Sequence, residues 1–71
     1  MEITADQVAQ KLAADSRLSA YAIQISMEPN RLVLEGNCCS YYEKSLMSEI
    51  VKHVVTPDMT IENHVVVHKK N

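Results

Sequence analysis

The residue types able to do chemistry gather in two places. Cys38, Cys39, Ser40, Tyr41, Tyr42 and Glu43 run consecutively, and the histidines His53, His64 and His68 lie toward the end of the chain. Thiol nucleophiles, a redox pair and a metal centre are the chemistries such residues support. A reactive thiolate needs neighbouring cations to lower its pKa, and a zinc site needs further ligands at suitable spacing. Neither surrounds Cys38-Cys39, and no C-x-x-C element is present. If the pair lies on a strand, adjacent side chains point to opposite faces and cannot share one site. Cys38 is then a small core hydrophobe, and Cys39 is a partly exposed residue open to disulfide-linked dimerisation under oxidation. His64 and His68 share a strand face but stand roughly 13 Å apart along it, too far for one ion. His53 reads as a boundary residue of a helix. Glu35 and Glu62 read as solubilising charges, and the single glycine, Gly36, rules out a phosphate-cradling loop. The expectation is a chain without catalytic residues, metal or cofactor.

The elements that position these residues follow from periodicity. Thr4-Ala5-Asp6-Gln7 fits a capping box, and Val8 and Leu12, widened by Ala5 and Ala9, form a helical stripe over residues 5 to 15. Leu18 folds back under that helix, and Tyr21 stands at the entry to a strand. From Ile23 the spacing alternates, with Ile23, Ile25 and Met27 apolar and Gln24, Ser26 and Glu28 polar. Pro29-Asn30 is a hairpin turn in which asparagine tolerates the left-handed conformation. A second strand from Arg31 to Cys38 places Leu32, Leu34, Gly36 and Cys38 on the buried face, with Val33, Glu35, Asn37 and Cys39 opposite. Ser40 and Glu43 make a second capping box, opening a helix over residues 41 to 55 whose stripe is Leu46, Met47, Ile50, Val51 and Val54. Thr56-Pro57-Asp58 stops it. Ile61, Val65 and Val67 then alternate with Glu62, His64, Val66 and His68 in a third strand. The order is αββαβ, an α+β fold with two helices on one face of a three-stranded mixed sheet. A helical crossover makes the third strand parallel to the second.

Size and charge bound the function. The 71 residues make one domain, too small for a deep enclosed active site. The core is aliphatic, since the chain has three Tyr and no Phe or Trp. A net charge of -2 offers no broad basic field, so nucleic acid is not an expected partner. The start, MEITADQVAQKL, lacks a basic region followed by an apolar run, and no apolar run is long enough to span a bilayer. As written the chain is expected in the cytoplasm. A place in the cell envelope is expected if it is a piece of a longer exported protein.

The stretch IQISMEPNRLVLEGNCCS, the helix carrying Lys44, Leu46 and Ile50, and the closing TIENHVVV together resemble the BON domain, a bacterial module named after osmotically induced and nodulation proteins. The resemblance covers residues 1–71 and rests on the alternating hairpin, Leu34 and Gly36, Cys38 two places later, the helix opened by Ser40 and Glu43, and Asn63. Pro29-Asn30 departs from the family's glycine-containing turn, and Pro57-Asp58 replaces a glycine before the third strand. The resemblance implies the same αββαβ order and a non-enzymatic module attaching peripherally to phospholipid surfaces. Arg31, Lys44, His64, His68, Lys69 and Lys70 are the residues expected to touch anionic headgroups or a partner. The alternative is a protein-interaction or self-association module using the open sheet face or an edge strand, with a homo-oligomer as one outcome.

Overall fold

The computed structural model describes residues 3–68. Its first helix, α1 (Ala5–Ala14), starts where Thr4 and Gln7 satisfy each other's backbone: Gln7 N–H donates to Thr4 Oγ1 at 3.2 Å and Thr4 N–H to Gln7 Oε1 at 2.9 Å. Val8 and Leu12 turn inward, and Leu18, in the following loop, is almost fully enclosed beneath them. The chain then enters a hairpin of β1 (Gln24–Glu28) and β2 (Arg31–Glu35), paired antiparallel from Gln24–Glu35 to Glu28–Arg31. No described residue other than Gly36 has a positive φ, so the turn does not use the left-handed conformation that Asn30 would tolerate. That excludes type II, I′ and II′ turns. Asn30 is also engaged elsewhere, because its carbonyl accepts the Thr60 amide at 2.9 Å.

The second expected strand is divided by Gly36 into β2 and β3 (Asn37–Cys38). Helix α2 (Tyr41–Val54) crosses over, and the third expected strand is likewise divided, into β4 (Thr60–Asn63) and β5 (Val66–Val67). Strand order is β1-β2-β4, with β3 and β5 paired separately. Both later pairings are parallel, as a helical crossover requires. The divisions are kinks and not slips: each residue pairs with the one 29 positions on, Arg31 with Thr60 before the kink and Asn37 with Val66 after it. The amides of Thr60, His64, Val66 and His68 donate to the carbonyls of Asn30, Leu34, Gly36 and Cys38 at 2.8 to 2.9 Å, so the ladder runs across the break.

Gly36 makes the kink. Its φ is +149°, and a Cβ there would stand 2.9 Å from Ile23 Cδ1 and 3.1 Å from the Ala22 carbonyl oxygen. Positive φ and a close backbone approach are the two circumstances that require glycine.

The helices share one face of the sheet, and Val8, Leu12, Leu18, Leu32, Leu34, Cys38, Met47, Val51 and Val65 form the core between the layers. Val33, expected on the wet face, is only 8% exposed. It sits on the central strand between Ser26 and Glu62, where neighbours on both sides cover a short branched side chain. Among the described residues no helix is long and apolar enough to cross a membrane.

Candidate functional site

The cysteines part as their strand position requires. Cys38 is 1% exposed, its Sγ donating to the Ser40 carbonyl at 3.3 Å, while Cys39 is exposed. The first turn of α2 then gathers a polar cluster around Glu43. Its Oε1 accepts from the Tyr21 hydroxyl at 2.8 Å, from the Ser40 hydroxyl at 3.2 Å and from the Cys39 amide at 3.2 Å. Ser40 Oγ accepts the Glu43 amide in return. This differs from the expected capping box in one respect: the carboxylate reaches the Cys39 amide, one residue before the N-cap.

That amide is set by the pleat. Cys38 gives its carbonyl to His68, so the Cys39 N–H points the other way, toward the β1 side. Strand β1 pairs no farther along than Gln24 with Glu35, and Glu43 takes the donor that has lost its strand. The cluster holds charge quietly. The Tyr21 hydrogen bond, reinforced by the Cys39 and Ser40 amides and the Ser40 hydroxyl, keeps the Glu43 carboxyl below its usual range. The Tyr21 phenol is pushed up, first by the Cys39 side chain and second by Glu43. A stabilised carboxylate and a more tightly protonated phenol are poor general acids and bases near neutrality.

Beside it, Arg17 grips Asp15 through two bonds, Nε to Oδ1 at 3.0 Å and NH2 to Oδ2 at 2.7 Å, and donates to the Tyr42 hydroxyl at 2.7 Å. These contacts tie the loop after α1 to the start of α2. The guanidinium holds the Asp15 carboxyl below its ordinary value. Arg31, the other arginine, is shared between Glu28 and Glu62, the latter at 3.0 Å. Periodicity gives no hint of the contacts made by Tyr21, Arg17 or the Glu28–Arg31–Glu62 triad. Only the short Asp15-Ser16-Arg17 spacing carries a local signal.

Among the described residues the expected headgroup contacts divide between the two sides of the sheet. Arg31, His64 and His68 lie on the open sheet face, with His64 Nε2 3.3 Å from Glu62 and His68 Nε2 2.7 Å from Asn37 Oδ1. Lys44 belongs to α2, on the other side of the sheet. Lys69 and Lys70 lie outside the described residues. Among the described residues no group of three His, Cys, Asp or Glu side chains could hold a metal ion.

Asn63, at the end of β4, has a role that the alternating pattern does not reveal. Its Nδ2 donates to the Lys44 carbonyl and to Ser48 Oγ, both at 2.8 Å, pinning α2 to the sheet. Its Oδ1 accepts the Val65 amide at 3.0 Å. Because His64 donates inward to Leu34, the Val65 N–H points off the outer edge, and the Asn63 side chain occupies it.

That cover is confined to Val65, since the backbone groups of Ile61 and Asn63 in β4 also turn outward; on the opposite edge no side chain among the described residues takes an outward group of β1. Leu34, like Asn30, gives its carbonyl to the strand following α2, so the odd residues of β2 direct their backbone groups to β1, where they face Gln24, Ser26 and Glu28. The N–H and C=O groups of Ile25 and Met27 therefore point outward from the sheet. At the hairpin end, Ile3, Met27, Pro29, Val55 and Met59 line a shallow groove of about 370 Å³. No protein-family model, curated protein or solved structure matches this chain.

Proposed function

We propose that the chain is a non-enzymatic module that binds another protein chain through its sheet. The observation that carries this reading is the outer edge of β1, where Ile25 and Met27 offer backbone donors and acceptors that no described part of the chain takes up. Such an edge is a template for strand addition, in which main-chain hydrogen bonds supply affinity and alternate side chains supply selectivity. The likeness to BON domains implies attachment to phospholipid instead. Against that stand the net charge of -2, the enclosure of Arg31 by two glutamates, and the placement of Lys44 on the far side of the sheet.

The test sets the two surfaces against each other. Co-sedimentation with vesicles of phosphatidylglycerol at low salt is expected to leave the chain in solution. Chemical cross-linking of the pure protein is expected to yield species larger than one chain. Retention on the vesicles that disappears at high salt, with no cross-linked species, would replace the protein-binding reading by the lipid one.

A further inference from the structure

The partner that fits the β1 edge best is a second copy of β1 itself. We infer that two copies of this chain pair through β1, antiparallel and symmetric about Ser26, a reading that rests on the protein-binding function proposed for the sheet.

The register follows from the backbone. Ile25 and Met27 point their polar groups outward, so an antiparallel partner makes its hydrogen-bonded pairs there when Ile25 of one copy faces Met27 of the other. That alignment is symmetric: two Ile25–Met27 pairs flank a Ser26–Ser26 pair on the two-fold axis, with Gln24 of each copy opposite Glu28 of the other. Every pair is compatible. The half-exposed apolar side chains Ile25 and Met27 meet on the helix side. On the open side an amide meets a carboxylate, and like charges are nowhere directly opposed. Of the devices that blunt an edge, these five residues contain no proline, no lysine and no bulge, and their one charge, Glu28, is at the end of the strand and paired with Arg31.

The helix layer also permits the approach. Helix α1 lies over β1 with Val8 and Leu12 inward. Gln7, Lys11 and Ala14 share a groove with Val54 of α2, so that flank faces α2. Helical periodicity puts Ala5, Ala9 and Ala13 on the flank turned away from α2, above the free edge. Two α1 helices brought side by side by the pairing meet through alanines, whose small side chains allow close packing.

The two-fold axis makes the decisive experiment a charge swap at Ser26, which is exposed and faces its own counterpart across the interface. Sedimentation equilibrium of the full chain over a wide concentration range is expected to show a reversible dimer. Ser26→Lys and Ser26→Glu, each alone, are expected to weaken it by about tenfold or more, since like charges then face each other across the axis. An equimolar mixture of the two variants is expected to dimerise again, because a lysine on one copy then meets a glutamate on the other. Ala13→Arg, on an exposed helix position, is expected to weaken the dimer without disturbing the fold, and serves where a Ser26 variant misfolds.

Three results overturn the inference. A wild type that stays monomeric at every concentration does so, and the protein-binding reading falls with it only if anionic vesicles retain the chain. A dimer unaffected by both Ser26 variants and by Ala13→Arg overturns the symmetric β1 interface while leaving association in place. Variants that weaken the dimer but are not rescued by mixing overturn the two-fold register.

Discussion

The two edges of the sheet are built from similar strands and end differently. On the β4/β5 side the strand is kinked, and the outward Val65 amide is taken by Asn63 of the same strand, although Ile61 and Asn63 themselves still turn backbone groups outward. On the β1 side the strand runs unbroken from Gln24 to Glu28, and Ile25 and Met27 present two outward donors and two outward acceptors. A third site follows the logic of the first, since Glu43 takes the Cys39 amide where β1 has ended. An unpaired backbone group at an edge is a liability only when nothing local occupies it. Two of these three sites are occupied by side chains whose other bonds fasten α2 to the rest of the fold. The β1 site is left open along its whole length, and it coincides with a stretch whose sequence can pair with itself without opposing charges.

The strongest way to break this contrast is at Gly36, because the kink that shortens β2 and leads into β3 depends on it. Gly36→Ala puts a Cβ against Ile23 and the Ala22 carbonyl at a φ of +149°. Strain of this kind costs roughly 1–3 kcal/mol, and the enforced shift of Ile23 adds to it, so a loss of about 2–4 kcal/mol is expected. For a chain this small, that lowers Tm by about 10–25 °C. Thermal unfolding followed by circular dichroism measures it, and a change under about 3 °C would show that the backbone relaxes around the new methyl.

Asn63→Ala comes next. It removes two bonds to α2 and uncovers the Val65 amide, at an expected cost of about 1–3 kcal/mol. Its more telling consequence concerns the edges. Amide hydrogen exchange is expected to accelerate at Val65 in the variant, while the dimer dissociated by Ser26→Lys exchanges faster at Ile25 and Met27. A Val65 amide that stays protected in Asn63→Ala would mean that something other than the side chain covers that edge.

How far the sequence discloses this arrangement depends on whether partners lie within one turn or pleat of each other. Thr4 and Gln7 are three residues apart and cap α1 as expected. The αββαβ order and the parallel crossover follow from alternation and stripe, and Cys38 and Cys39 separate because a strand alternates. The kinks at Gly36 and after Asn63 escape the same reasoning because they insert no residue: the alternation continues through them unchanged, with one register on both sides. Arg31 reads as a free cation until Glu62, 31 positions later, is brought beside it by the parallel pairing. Tyr21 and Glu43 are joined across 22 positions by the packing of the loop after α1 against α2, which no local pattern encodes. Ile25 and Met27 are visible as core residues from their spacing. The outward direction of their backbone groups depends on which strand flanks β2 on its other side.

The smallest expected effect is at Glu43, and pH reads it. The carboxyl has an ordinary value near 4.5 and is lowered in the fold, first by the Tyr21 hydroxyl, with the Cys39 amide and Ser40 adding to the effect. A group with a depressed folded pKa contributes stability that is present above its unfolded value and lost as pH falls through the folded one. Tyr21 has the opposite sign: its value is raised above an ordinary 10, by the Cys39 side chain first and Glu43 second, so its contribution is present below pH 10 and lost as pH climbs beyond it. Glu43→Gln keeps an acceptor for the hydroxyl and the amide but removes the charge. The variant is expected to be slightly less stable than wild type near neutrality, where the charged form makes its contribution, and to converge on wild type as pH falls, since one of the lowered carboxyls no longer titrates. The Tyr21 phenol is expected to move part of the way back toward its ordinary value, because the Cys39 side chain remains. Unfolding midpoints across the acid range, with ultraviolet titration of the phenols, separate the two sides of the hydrogen bond. An acid limb as steep in Glu43→Gln as in wild type would assign the pH dependence to Asp15 and Asp58, whose carboxyls are also lowered, and would leave Glu43 with only its geometric role at the Cys39 amide.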